Sequence, residues 1–97
     1  MAAIHMYSDN DRTITMPMVA GWSTQSGKPF TIEEFGFLQG EGDIQRSTDY
    51  NNVYSLGRQF GVASIVFWNL GPEISPSSYE VNPDTPLTWN TIIRNAP

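Results

Sequence analysis

A chain of 97 residues with 39% apolar and only 15% charged side chains has the size and composition of one small globular domain, which argues against disorder. Its net charge of −5, pI near 4.5 and five scattered basic residues argue against a nucleic-acid or anionic-membrane partner, because neutralising phosphates takes clustered Lys and Arg. With no cysteine there is no disulfide framework, thiolate chemistry or zinc ribbon, while three Trp, four Tyr and five Phe suit sugar binding or a partner interface.

Met1 to Tyr7 lacks the basic start and the apolar run of roughly 7–15 residues that a signal peptide needs. No apolar stretch approaches the roughly 18 residues of a membrane span. The chain is therefore read as soluble, with no visible address.

Ala3 to Tyr7 is short and mostly apolar and meets Ser8-Asp9-Asn10-Asp11, a turn-forming cluster, which predicts a buried strand almost at the first residue. Met18, Val19 and Trp22 follow helical spacing, with Pro17 suited to a first turn and Gly27 to a stop. Trp22 and Trp89, both at helical spacing, are read as packing residues. Phe30 to Phe37 is an apolar, β-branched run interrupted by two adjacent carboxylates, Glu33 and Glu34, and predicts a second strand. A Gly- and acid-rich loop from Leu38 to Arg46 follows. Ser47-Thr48-Asp49 then offers capping chemistry ahead of a helical face made of Val53, Tyr54, Leu56, Gly57 and Phe60, which Gly61 ends.

Val62 to Trp68 is nearly continuous in apolar residues, as expected of a parallel strand covered on both faces. A long polar loop with Pro72, Pro76 and Pro83 leads to Thr85-Pro86, a capping Thr and first-position Pro that open a last helix through Ile93. The order β-α-β-α-β-α implies a parallel sheet with right-handed crossovers. It amounts to about three of the eight βα units of a barrel that typically takes about 250 residues, so sheet edges remain to be covered. One partial-barrel domain over 1–97 is expected.

Two adjacent glutamates at a strand end are costly to desolvate, and strict alternation lets only one of them share a face with Ile32. Gly27-Lys28-Pro29-Phe30-Thr31-Ile32-Glu33-Glu34-Phe35-Gly36 resembles the seventh-strand signature of clan A glycoside hydrolases, especially family 5, which contains endoglucanases and mannanases. The resemblance implies the C-terminal part of a (β/α)₈ TIM barrel, about strands six to eight, and a retaining double displacement in which the Glu before Phe-Gly, Glu34, is the nucleophile. Ile4-His5-Met6-Tyr7 is similar to the family's sixth-strand His-x-Tyr, which implies a hydroxyl near the nucleophile from Tyr7 and a cleft-lining His5. Val62 to Asn69 resembles the eighth strand, whose terminal Trp, here Trp68, would lie under the sugar. A flat aromatic face matches the apolar C–H face of a pyranose.

The family's general acid/base is a Glu following Asn at the end of the fourth strand, and the chain holds no Asn-Glu dipeptide. Retaining hydrolysis needs two carboxyl groups roughly 5–5.5 Å apart. Glu33, Glu41, Asp43 and Glu73 are the remaining candidates, but no motif places them. Three readings stay open: a segment of a retaining endo-β-glycosidase acting on a β-linked polysaccharide or oligosaccharide; a non-catalytic, self-associating barrel fragment or carbohydrate-binding module; and a chain whose missing N-terminal barrel portion comes from a separate polypeptide. No cofactor or metal is expected. Asp9-Asn10-Asp11 begins like a calcium loop but has Ile14 and Ala20 where Gly and Glu are required, and reads as a solvated turn.

Overall fold

The apolar run at the start forms β1 (Ala2–Met6) in the computed structural model, which describes residues 1–97. β2 (Phe30–Phe35) and β3 (Ile65–Phe67) complete a parallel sheet in the order β1-β2-β3. The helices are α1 (Met16–Ser26), α2 (Asp43–Phe60) and α3 (Pro86–Asn95), with a π-helical turn at Asp11–Thr15 and a 3₁₀ turn at Gln39–Glu41. The β-α-β-α-β-α order expected from the sequence is the order observed. No helix is long and apolar enough to cross a membrane. The residues divide into two units, Met1–Phe35 with Leu56–Phe67 and Gly36–Ser55 with Trp68–Pro97.

In the first unit Ile4, Met6, Phe30, Ile32 and Phe35 of the strands are buried together with Met16 and Ala20 of α1. Pro17 occupies the first turn of α1, and Gly27, at φ 69°, closes it with its N–H on the Ser23 carbonyl at 3.0 Å. Two expectations fail here. Ser8 to Asp11 is no plain turn: Ser8 Oγ accepts from the Asp11 N–H at 3.2 Å while the Asp11 carboxylate accepts from the Ser8 N–H at 3.0 Å. That reciprocal pair is a capping box, and the chain is helical from there on. Met18 and Trp22 are exposed, because residues two along from Met16 and Ala20 fall on the opposite side of a helix, so Trp22 is not a core residue.

β3 is shorter than the apolar run predicted, and Val66 is exposed, so this strand is not covered on both faces. β3 is also an edge strand of the sheet, paired on the β2 side. The ladder begins with the Ala63 N–H on the Phe30 carbonyl at 2.8 Å. Gly57 matters nearby, since a Cβ there would collide with the Ile65 side chain.

In the second unit Phe37, Tyr50, Val53, Tyr54 and Val81 are buried with Thr88 and Thr91. The fully buried Arg46 donates from Nε to the Phe37 carbonyl at 2.8 Å and from Nη2 to the Tyr79 and Glu80 carbonyls at 2.6 and 2.8 Å. Its guanidinium lies 5.8 Å from the centroid of the Tyr50 ring. Burial lowers the Arg46 pKa, raises that of Tyr50 and pushes the Tyr54 phenol up to about 12. The polar loop after β3 is tied down as well: Gln39 Nε2 donates to the Glu73 and Glu80 carbonyls at 2.7 and 2.9 Å, and its Oε1 accepts from the Ser75 N–H at 3.0 Å.

One expected helix start in this unit is revised, and at the other, which stands at Pro86, the capping group differs. α2 opens at Asp43, ahead of Ser47-Thr48-Asp49, and the Ser47 and Thr48 hydroxyls instead donate back to the Ile44 carbonyl at 2.8 and 3.1 Å. Thr85 precedes α3 but makes no side-chain cap. The Asp43 carboxylate takes that role, accepting from the Leu87 N–H at 2.8 Å, the Thr88 N–H at 3.0 Å and the Thr88 hydroxyl at 2.7 Å. Burial opposes ionisation of Asp43, but these donors outweigh it and hold the carboxyl below its ordinary value of 3.8. A folded-state pKa below the unfolded one makes the cap fully stabilising above that ordinary value, and the contribution is lost as the pH falls through it toward the lower folded-state value. Asp43→Ala is therefore expected to cost about 1 kcal/mol at neutral pH and progressively less in acid, which urea titrations at several pH values would measure.

Candidate functional site

β1 and β2 run parallel, so their C-terminal ends lie side by side and bring together residues 27 positions apart in sequence. Pairing proceeds as Ile4 with Ile32 and then His5 with Glu34, skipping one residue. The skipped residue is Glu33, the extra member of a β-bulge. Strict alternation would have turned Glu33 away from Glu34's neighbours; with the bulge, His5 approaches both carboxylates. Its Nδ1 is 3.5 Å from Glu34 Oε2 and its Nε2 is 3.9 Å from Glu33 Oε1. These are ion-pair separations when the imidazole is protonated and are too long for good hydrogen bonds.

Tyr7, the residue after β1, donates its hydroxyl to Glu34 Oε1. Glu34 is thus flanked by a phenol on one oxygen and an imidazole on the other. Its side chain is 28% exposed against 61% for Glu33, so Glu34 is the more shielded of the two and the one with a side-chain hydrogen bond from a strand-end residue. A carboxylate held in this way has a fixed direction while part of it stays open to solvent. Such a group is suited to attack an electrophilic carbon or to accept a proton.

Of the expected site residues, the fold brings His5, Tyr7 and Glu34 together. Trp68 belongs to the other unit; it follows β3 directly, its side chain is half exposed, and the Trp68–Asn69 peptide is cis. Among the other carboxylates weighed from sequence, Asp43 is engaged as the cap of α3. No group of three His, Cys, Asp or Glu side chains is placed to hold a metal ion. The approach of Glu33 to His5 was not legible beforehand, because a bulge without glycine leaves no mark in a single sequence. Asp11 was legible in part, since Ser8 and Asp11 have the spacing of a capping box.

No family model matches the chain, and no curated protein matches it. Among solved structures, an X-ray structure of the endo-β-1,4-mannanase from Thermotoga petrophila matches 96% of this chain with a TM-score of 0.73 and 16% sequence identity. The match spans 24% of the mannanase chain. At this identity the likeness speaks to the fold: three parallel strands alternating with helices, the α/β architecture of part of a (β/α)₈ barrel.

Proposed function

We propose that the chain is the nucleophile-bearing segment of a retaining β-glycosidase of the family 5 type, corresponding to barrel strands six to eight over 1–97. The observation that carries this reading is the Tyr7 hydroxyl bonded to the Glu34 carboxylate at the C-terminal ends of adjacent parallel strands, with His5 on the other carboxylate oxygen. That end of a (β/α)₈ barrel is where enzymes of this architecture build their sites. The fold shared with part of a mannanase supports it. Glu34 attacks the anomeric carbon, Tyr7 and His5 hold it, and Trp68 offers its half-exposed indole to a sugar face. A β-linked oligosaccharide or polysaccharide is the substrate, and the remaining barrel strands supply the proton donor.

Because the donor lies elsewhere in this reading, the test uses a substrate that needs none. A 2-deoxy-2-fluoro-β-glycoside with a dinitrophenolate leaving group reacts when a Glu34 oxygen bonds to the anomeric carbon and the aryl C–O bond breaks, its electron pair leaving on the phenolate. The fluorine slows hydrolysis of the adduct. Intact mass and peptide mapping are expected to show one glycosyl group on Glu34. A chain that stays unlabelled at saturating gluco- and manno-configured reagent would sink the reading.

A second reading, a non-catalytic self-associating fragment, is favoured by open surfaces in the first unit. β1 and β3 are both sheet edges, Val66 is exposed, and Ile14, Met18 and Trp22 make an apolar stripe at four-residue spacing. Light scattering is expected to give a mass above that of one chain; a monomer at high concentration would count against edge covering by copies of this chain.

A further inference from the structure

Asp11 Oδ2 accepts from the backbone N–H of Tyr7 at 2.9 Å as well as from that of Ser8 at 3.0 Å, and the Asp11 N–H donates to Ser8 Oγ at 3.2 Å. Tyr7 is the first residue beyond β1, where the ladder no longer sets its backbone. Its direction is set instead by the Asp11 carboxylate, which stands at the start of the helical run that packs on the sheet. From that backbone the phenol reaches Glu34 Oε1.

We propose that Asp11 is a positioning residue for the Glu34 site, acting through the Tyr7 backbone to aim the Tyr7 hydroxyl at the carboxylate. The inference rests on the glycosidase reading only for its consequence in catalysis; the linkage from Asp11 through Tyr7 to Glu34 stands on the hydrogen bonds themselves. Asp11 makes no hydrogen bond to Glu34; its partners are the Tyr7 and Ser8 backbone and the Ser8 hydroxyl, so its effect is on orientation. Its carboxyl is held below the usual range chiefly by the Tyr7 N–H, with burial opposing and Ser8 assisting, which agrees with an ionised acceptor at this position. Asparagine at 11 keeps an acceptor oxygen for the Tyr7 N–H, whereas alanine keeps none.

The test has two arms on the full chain. In the first, the limiting rate of Glu34 trapping by the activated 2-fluoro glycoside is expected to fall about tenfold to a hundredfold in Asp11→Ala, with half-saturation changed by less than about twofold. Asp11→Asn is expected to retain most of the rate. In a Tyr7→Phe background, Asp11→Ala is expected to add less than about twofold, since both changes break the same linkage. Asp43→Ala, which removes a helix cap in the other unit, controls for lost stability and is expected to leave the trapping rate unchanged. In the second arm, the ¹³Cζ resonance of Tyr7, assigned by its loss in Tyr7→Phe, is expected to move in Asp11→Ala and in Glu34→Gln alike. Full additivity with Tyr7→Phe, or a Tyr7 resonance indifferent to Asp11→Ala, would overturn the proposal. Absence of trapping in the unaltered chain would overturn the glycosidase reading, and the resonance would still decide the role of Asp11.

Discussion

Replacing Glu34 with Gln is expected to abolish covalent trapping, lowering its rate by at least about 10³-fold, while Glu33→Ala lowers it by less than about tenfold. The amide of Gln matches the carboxylate in shape and still accepts the Tyr7 hydroxyl, so the fold and the local hydrogen bond survive while the anionic nucleophile is gone. Glu33 sits at the same strand end and approaches the same imidazole, but it is the bulged, more exposed residue, and the phenol is directed at Glu34. Peptide mapping would read the outcome directly. A glycosyl group on Glu33, or trapping that persists in Glu34→Gln, would reverse the assignment. In a polypeptide that also carries the other barrel strands, the same ranking is expected for hydrolysis of an aryl β-glycoside.

The second large effect is on stability. Arg46→Met is expected to cost about 3 kcal/mol or more, a large part of the total stability of a chain this small. Methionine fills most of the volume but leaves the carbonyls of Phe37, Tyr79 and Glu80 without the guanidinium that joins them. A buried acceptor left unpaired costs on the order of 1–3 kcal/mol, which applies above all to the Phe37 carbonyl, since that of Glu80 keeps its bond from Gln39 Nε2. Arg46→Lys is expected to recover little, because an ammonium cannot reproduce the planar fork that meets three carbonyls. Urea denaturation followed by Trp fluorescence would measure both, and an Arg46→Met midpoint within error of the unaltered chain would show that the loop is held by other contacts, such as those of Gln39.

These two residues differ in how far the sequence announced them. Glu34 stood out because a carboxylate pair inside an apolar strand pattern is costly and needs a use. Arg46 did not: it fell in a stretch read as loop, since Ser47-Thr48-Asp49 has the chemistry of a helix start and the true start, Asp43, is set by what its carboxylate caps on α3. A cap supplied from 44 residues away has no local signature.

From the sequence alone came the alternation of strands and helices, the parallel α/β class and the stops at Gly27 and Gly61, while His5, Tyr7 and Glu34 became a candidate set only through the resemblance of their motifs to those of a glycosidase family. Periodicity and turn chemistry are local, and strand ends of a parallel sheet fall on one side by topology. Tertiary structure decided the rest: that Glu33 bulges toward His5, that β3 is a three-residue edge strand, that Met18 and Trp22 point outward, and that Asp11 reaches back to Tyr7. Each of these depends on which neighbour occupies a strand's other edge or a carboxylate's hydrogen-bonding reach, and a one-dimensional pattern does not carry that information.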